Sequence, residues 1–307
     1  MSGKRLLLCG VCCVDIVNYV QSFPEEDTDN RGVDQLITLG GNATNSGSVL
    51  AQLNDSTDLF MAVPTQNILF NNLVEKAGIN LTRCVHRPTE DVPVSTVICN
   101  YELGTRTILH YEGDLEEPSA IEFKEIFDEI DDYGIIHFEA KSGRQYDQVV
   151  QIMDYIKKKR GYKRYPLISV ELEIRVPDKW VTEFVKRADI VFVSKDFAQW
   201  RGWKSMFEAL EMMEKTYDCK NTIIVCPWGE KGACAKNTKQ NHLVDTPAYP
   251  PEHVLDTLGA GDTFIAAFLH FLNHGFDLET VLTFAAKIAG RKVGQHGVLN
   301  LDLKGIL

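Results

Sequence analysis

No stretch of this chain is apolar for long enough to cross a bilayer, which takes about 20 consecutive apolar residues. The first apolar run, residues 6–20, is interrupted by Asp15, so it reads as strand rather than as an export signal. A surplus of positive charge is missing too: 32 Lys and Arg stand against 43 Asp and Glu, a formal charge of −11. Nucleic-acid binding rests on clustered cations that neutralise phosphates. The one basic run, Lys157 to Arg160 with Lys163 and Arg164, reads as the solvent-facing end of a helix. Neither a nucleic-acid partner nor a membrane is expected.

Common catalytic signatures are also absent. There is no Gly-x-x-x-x-Gly-Lys-Ser/Thr phosphate loop, and a dinucleotide fingerprint starting at Gly259 and Gly261 fails because its third glycine would fall on Phe264. Neither His-Glu-x-x-His nor Gly-x-Ser-x-Gly occurs, which removes the usual zinc-protease and α/β-hydrolase signals. The pair Cys9-x-x-Cys12 has no second pair at metal-ligand spacing. Eight cysteines without an export signal point to reduced thiols and a cytoplasmic chain, with Cys9, Cys12 and Cys13 packed along one strand.

What is present is an alternation. Short apolar runs at 6–14, 59–63, 134–138, 167–170, 190–194 and 222–226 read as buried strands. Helical periodicity fills 68–77, 146–159, 179–186 and 205–217 between them. That pattern predicts an α/β fold, a mostly parallel sheet with helices on both faces. Residues 16–38 and 94–111 leave no room for a crossover helix and read as antiparallel ribbon, with a short turn at Glu102 to Thr105. A small sheet projecting from the body, serving as a lid or a dimer surface, is the expectation. No linker or repeat divides residues 1–307, so one domain with a protruding subdomain is expected.

Two segments carry chemistry. Asp256-Thr-Leu-Gly-Ala-Gly-Asp262-Thr-Phe264 places two glycines and an alanine where an apolar helix-like run begins, so unpaired N–H groups converge there and the peptide dipoles favour an anion. Asp262 beside such a phosphate cradle suits a base that takes a hydroxyl proton during phosphoryl transfer. Taken alone, the same aspartate also reads as a helix cap. The second segment, Gly40-Gly41-Asn42-Ala-Thr-Asn45-Ser-Gly47, opens a helix. Asn42 and Asn45, three apart on its first turn, aim two amides the same way, a donor and acceptor set suited to hydroxyls; an Asn cap is the plainer alternative. Asp15, at the end of the first strand, adds a carboxylate for vicinal hydroxyls, so Asp15, Gly41, Asn42 and Asn45 form a candidate polyol pocket beyond the strand ends.

These two motifs together resemble the ribokinase-like (PfkB) carbohydrate kinases. Thr105 to Ile108, Phe192 to Asp196, Cys226 to Gly232 and Val254 to Phe264 are similar, in order and spacing, to its ketohexokinase branch, the animal-type fructokinases. The resemblance implies a three-layer ribokinase-like sandwich with a β-sheet lid, and ATP-dependent phosphorylation of D-fructose at its 1-hydroxyl. It implies Asp262 as general base and Gly259, Ala260 and Gly261 as anion hole. It places Asp15, Gly41, Asn42 and Asn45 on the sugar, Arg106 on the phosphates, and Trp228, Gly229, Glu230, Lys231 and Gly232 on the nucleotide. Asp27 matches a lid position that reaches a neighbour's site in a homodimer. Many relatives order Mg²⁺ waters with Asn-x-x-Glu, replaced here by Ser194-Lys195-Asp196-Phe197, so Mg²⁺ is expected on the ATP phosphates. A K⁺ site near the Asp256 carboxylate and the Leu258 carbonyl is implied for parts of the family. Another ketose, ribose or a nucleoside is the alternative acceptor, and a catalytically silent sugar sensor is the alternative outside enzymes.

Overall fold

The computed structural model describes residues 3–140 and 145–306. Two strands open the chain, β1 (Arg5–Cys9) and β2 (Cys13–Val20), followed by β3 (Asp34–Gly40) and helix α1 (Asn42–Gln52). Then come β4 (Thr57–Phe60), β5 (Ala62–Pro64), α2 (Ile68–Ala77), β6 (Val85–Arg87), β7 (Val94–Asn100) and β8 (Thr105–Tyr111). The middle of the chain forms α3 (Ala120–Ile126), β9 (Tyr133–Ala140), α4 (Tyr146–Arg160), β10 (Leu167–Leu172) and α5 (Asp178–Val185). The remainder is β11 (Ile190–Val193), α6 (Lys195–Trp200), α7 (Met206–Thr216), β12 (Ile223–Pro227), β13 (Ala233–Asn237), β14 (His242–Thr246), α8 (Ala260–Asn273) and α9 (Leu278–Lys292).

Eight strands form the main sheet in the order β14-β13-β12-β11-β10-β9-β1-β4. Every pairing from β12 to β4 is parallel, and only β13 runs against its neighbours. Side chains alternate across a strand, so each strand feeds two cores. Leu6, Leu8, Ile135, Phe192 and Val225 pack with α1, α2, α8 and α9, whereas Leu7, Ile136, Phe138, Val170, Val191 and Ile224 pack with α3 to α7. Three layers result, as expected for a near-continuous apolar strand pattern. No described helix is long and apolar enough to cross a membrane.

The structure departs from the sequence reading at the start. The apolar run 6–14 is two strands in two sheets, because the chain breaks at Gly10, where any side chain would collide with Glu139 and Ala43. Cys9 therefore ends β1 of the main sheet, Cys13 begins β2 of the small one, and Cys12 lies between them. All eight cysteines are buried. Asp15 accordingly stands on β2, not at the end of the first strand. The run 59–63 divides likewise, β5 pairing with β6 apart from the main sheet.

The two expected ribbons exist as β2–β3 and β7–β8, both antiparallel. A parallel β2–β7 pairing joins them into one four-stranded sheet, β3-β2-β7-β8. Register then sorts its residues. Asp15, Val17, Tyr19, Val97, Cys99, Arg106 and His110 share the face turned to the body; Ile16, Ile37, Thr96, Leu109 and Tyr111 share the other.

Candidate active site at the carboxyl ends of the strands

The loop into α8 is shaped by Gly259, whose φ of 75° is left-handed backbone that glycine adopts without steric penalty. A Cβ there would also stand 2.7 Å from Val298 Cγ1. Thr263 closes the first turn, its N–H and Oγ1 donating to the Gly259 carbonyl at 2.9 and 2.8 Å. The three expected anion-hole residues are not equivalent. The Ala260 amide already donates to Thr257 O at 3.3 Å. At Gly261, by contrast, a Cβ would meet no heavy atom within 4 Å, so the helix start there faces open space. Asp262, 8% exposed, sits in the same turn.

Helix α1 starts beside it. Gly41, with φ 95°, has no room for a side chain against the Val11 carbonyl, and a Cβ on Gly40 would collide with the Asp15 carboxylate. The two glycines thus let Asp15 and the first turn of α1 close on each other. Asn45 Nδ2 donates to Asp262 Oδ2 at 2.7 Å, and Ser46 Oγ donates to the Asp262 carbonyl at 3.1 Å. Asn42 points elsewhere: its Nδ2 donates to Glu171 Oε2 at 3.1 Å and to Glu173 Oε1. The two amides were expected to aim alike, but each serves a different carboxylate, because tertiary acids meet them from the strand ends.

Those acids escaped the sequence reading. Glu139, at the end of β9, accepts the Ala43 N–H at 2.5 Å and so caps α1 from the sheet. Glu171 lies on β10, and Glu173 follows that strand. Burial, then the Glu173 and Asp262 charges, push Glu171 well above the ordinary carboxylate range, against the lowering effect of the Asn42 amide. A carboxylate embedded in an apolar strand, as in the runs Tyr133–Ala140 and Leu167–Leu172, was the available signal.

The small sheet completes the site from above. Its inward face carries Asp15 against Gly40, and Arg106 Nη1 donates to Thr257 Oγ1 at 2.9 Å on the loop into α8. Ser95 Oγ and His110 Nδ1 lie 3.0 Å apart on the same face. A cleft of about 300 Å³ opens between β8 and the body, lined by Gly10, Val11, Cys12, His110 and residues 112–118. Asp262 is not among the residues that line it, and the cleft's size suits a small ligand. Asp27 stands apart, in the exposed loop 21–33 between β2 and β3.

At the end of β12 the turn Gly229–Lys231 is closed by Trp228 N–H donating to Gly232 O at 2.7 Å. The Trp228 side chain is only 2% exposed and packs in the core, so the backbone of 229–232 and the Glu230 and Lys231 side chains are what this turn offers a ligand. Lys195 Nζ sits 2.9 Å from Glu230 Oε2 and holds that acid below the usual carboxylate range. Ser194 Oγ caps α6 by accepting the Phe197 N–H. Neither residue at the replaced Asn-x-x-Glu position is therefore arranged as a Mg²⁺ ligand.

The Asp256 carboxylate named for K⁺ is already engaged. Lys292, fully buried, places Nζ 2.9 Å from Asp256 Oδ2 and donates to Asp256 O at 2.8 Å. The Leu258 and Gly297 amides donate to Oδ1 and Oδ2 at 2.8 and 3.0 Å. An ammonium group already neutralises this carboxylate.

Residues 4–304 match the family described as pfkB family carbohydrate kinase. Ketohexokinase from Mus musculus is 33% identical over 301 residues, covering 97% of this chain and 98% of that protein. Among solved structures, ribokinase from Giardia lamblia superposes with a TM-score of 0.82 at 17% identity, over 96% of this chain and 94% of that one. Arabidopsis thaliana ribokinase complexed with ribose and ATP gives 0.76 at 19% identity, over 97% and 94%.

Proposed function

The chain belongs to the pfkB family of carbohydrate kinases, and we propose that it transfers the γ-phosphoryl group of MgATP to the 1-hydroxyl of D-fructose, yielding fructose 1-phosphate and ADP. The observation that carries this reading is the convergence of three distant segments: Asn45 on Asp262, and Arg106 on the loop leading to Asp262. The resemblance over nearly the full chain to a ketohexokinase supports the acceptor.

In this mechanism Asp262 takes the proton of the sugar hydroxyl as its oxygen attacks phosphorus in line. The new O–P bond forms while the bond from the γ-phosphorus to the bridging oxygen breaks, and ADP leaves. Asn45 donates to one oxygen of the Asp262 carboxylate and so orients it. The open start of α8 at Gly261 and the Arg106 guanidinium face the developing negative charge, where a preorganised donor contributes roughly 10²- to 10³-fold. Asp15 and the amides of α1 hold the polyol, and the 229–232 turn holds the nucleotide. Magnesium arrives with ATP.

We read residues 1–307 as one kinase domain whose small sheet serves as the lid, closing to exclude water that competes as acceptor. The lid's outward face, with Ile37, Leu109 and Tyr111 exposed, is an apolar surface for a second copy, and the loop bearing Asp27 is the part of the lid that would reach that neighbour. The chain is proposed to work in the cytoplasm.

Phosphate-position analysis of the product from fructose and MgATP tests the reading, with ribose, other ketoses and nucleosides run in parallel by coupled ADP detection. A 1-phosphate is expected; a faster product from ribose or a nucleoside overturns the acceptor, and fructose-induced stabilisation without any ADP overturns the enzyme. Asp262→Asn is expected to keep sugar and nucleotide binding while lowering kcat by at least about a hundredfold, the usual size of general-base assistance. Turnover within a few-fold of the parent would remove Asp262 as the base.

A further inference from the structure

We propose that Asp55, His270 and His274 form a binding site for a zinc-class divalent transition metal at the end of α8 opposite the catalytic aspartate. His270 lies in the last turn of α8 and His274 is its C-cap residue. Their i, i+4 spacing puts both rings on one helix face, with centroids 4.4 Å apart. Asp55, in the loop between α1 and β4, meets both. Its Oδ2 is 2.7 Å from His270 Nδ1 and its Oδ1 is 2.9 Å from His274 Nε2.

The Asp55 side chain is almost fully buried, as is most of His270, while His274 keeps an edge toward solvent. All three ligand atoms lie within 4.8 Å of one another, and among the described residues this is the one such group of His, Cys, Asp or Glu. Two imidazole nitrogens and one carboxylate oxygen form a donor set that suits zinc. Magnesium and calcium prefer oxygen donors throughout, and the Irving–Williams order ranks copper and nickel beside zinc on nitrogen ligands.

Tetrahedral zinc at 2.0–2.2 Å from each donor spaces the ligand atoms roughly 3.3–3.5 Å apart, so each ring nitrogen needs to withdraw from Asp55 by about half an ångström. When the metal binds, any proton on the ring nitrogens facing the carboxylate moves to the other ring nitrogen or is released to solvent.

Such an ion acts as a staple. It joins the far end of α8 to the loop after α1, the two helices whose starts carry Asp262, Asn42 and Asn45. His270 is eight residues beyond Asp262, about 12 Å along the helix, so the metal touches no reacting atom.

The test is zinc binding to the full chain after chelator treatment, by isothermal titration, with Co²⁺ substitution read by its visible absorption. His274→Gln, at the solvent edge, and Asp55→Asn are the variants, each checked for fold by circular dichroism. The expected result is one zinc per chain, a higher thermal midpoint with zinc than without, and at least a tenfold loss of affinity in each variant. Zinc-dependent shifts of the His270 and His274 ring nitrogens in the unaltered chain give a second measurement that requires no variant. Failure of the stripped chain to take up zinc overturns the proposal, and so does uptake that leaves both the variants' affinity and the ring nitrogens unchanged.

Discussion

Asp262 accepts a hydrogen bond from the Asn45 amide, whereas Asp58 is paired with Arg5 and Asp256 with Lys292. A general base has to be able to take up a proton, which a neutral partner permits. Glu171 marks the acidic side of the same site. Between the ordinary carboxylate value of 4.5 and its own raised value, the folded chain retains a proton that the unfolded chain has lost. Stability therefore falls as pH rises through that window. Glu171→Gln keeps an oxygen for the Asn42 amide and removes the titration. Its thermal midpoint is expected to gain on the parent's progressively as pH rises above about 4.5; melts whose difference is constant across that range would refute the assignment.

Helix α8 connects the chemistry to its support. Its start is formed by Gly259, its body packs on α1 and α9, and the loop before it is tied to α9 by the Lys292–Asp256 pair. Desolvation lowers the Lys292 pKa, and the nearby Asp256 charge opposes that shift. Removing one member of a buried pair leaves the other charge uncompensated, typically at about 3–5 kcal/mol. Lys292→Met is expected to destabilise the chain by about 3 kcal/mol or more, with part of the loss recovered in Lys292→Met/Asp256→Asn, as measured by denaturant unfolding. Because an ammonium already neutralises the Asp256 carboxylate, turnover is expected to be the same in K⁺ and in tetramethylammonium buffers; a strong K⁺ requirement would count against this arrangement. The element bounds show how local signals are legible. Helix α2 spans Ile68–Ala77, matching the sequence reading, since Asn67 caps it through the Phe70 N–H and Gly78 ends it in left-handed backbone.

At the scale of the whole molecule, the small sheet gives the protein an apolar outer surface, with Leu109 74% and Tyr111 61% exposed. A two-fold interface uses each such residue twice, so Leu109→Asp is expected to weaken self-association at least about a hundredfold by sedimentation, roughly 2.7 kcal/mol. A parent that is monomeric at all concentrations would remove the dimer. Acid stability is limited from another layer: His137, buried against Ser169 Oγ, is pushed down to about 3. The unfolded chain binds that proton below about 6.5, so stability drops as pH falls from there toward 3. Alternation of apolar strands and periodic helices sufficed to predict the layered α/β body, because period and burial are properties of neighbouring residues. The glycine-rich turns at 40–41 and 259–261 were equally legible, since backbone freedom is written in residue type. The sequence left undetermined the break at Gly10, the parallel union of β2 with β7, the Glu139, Glu171 and Glu173 wall that parts the Asn42 and Asn45 amides, and the Lys292 partner of Asp256. Each of these joins residues far apart along the chain, and which distant groups share a buried space is settled by packing and desolvation once the layers close, not by any local preference.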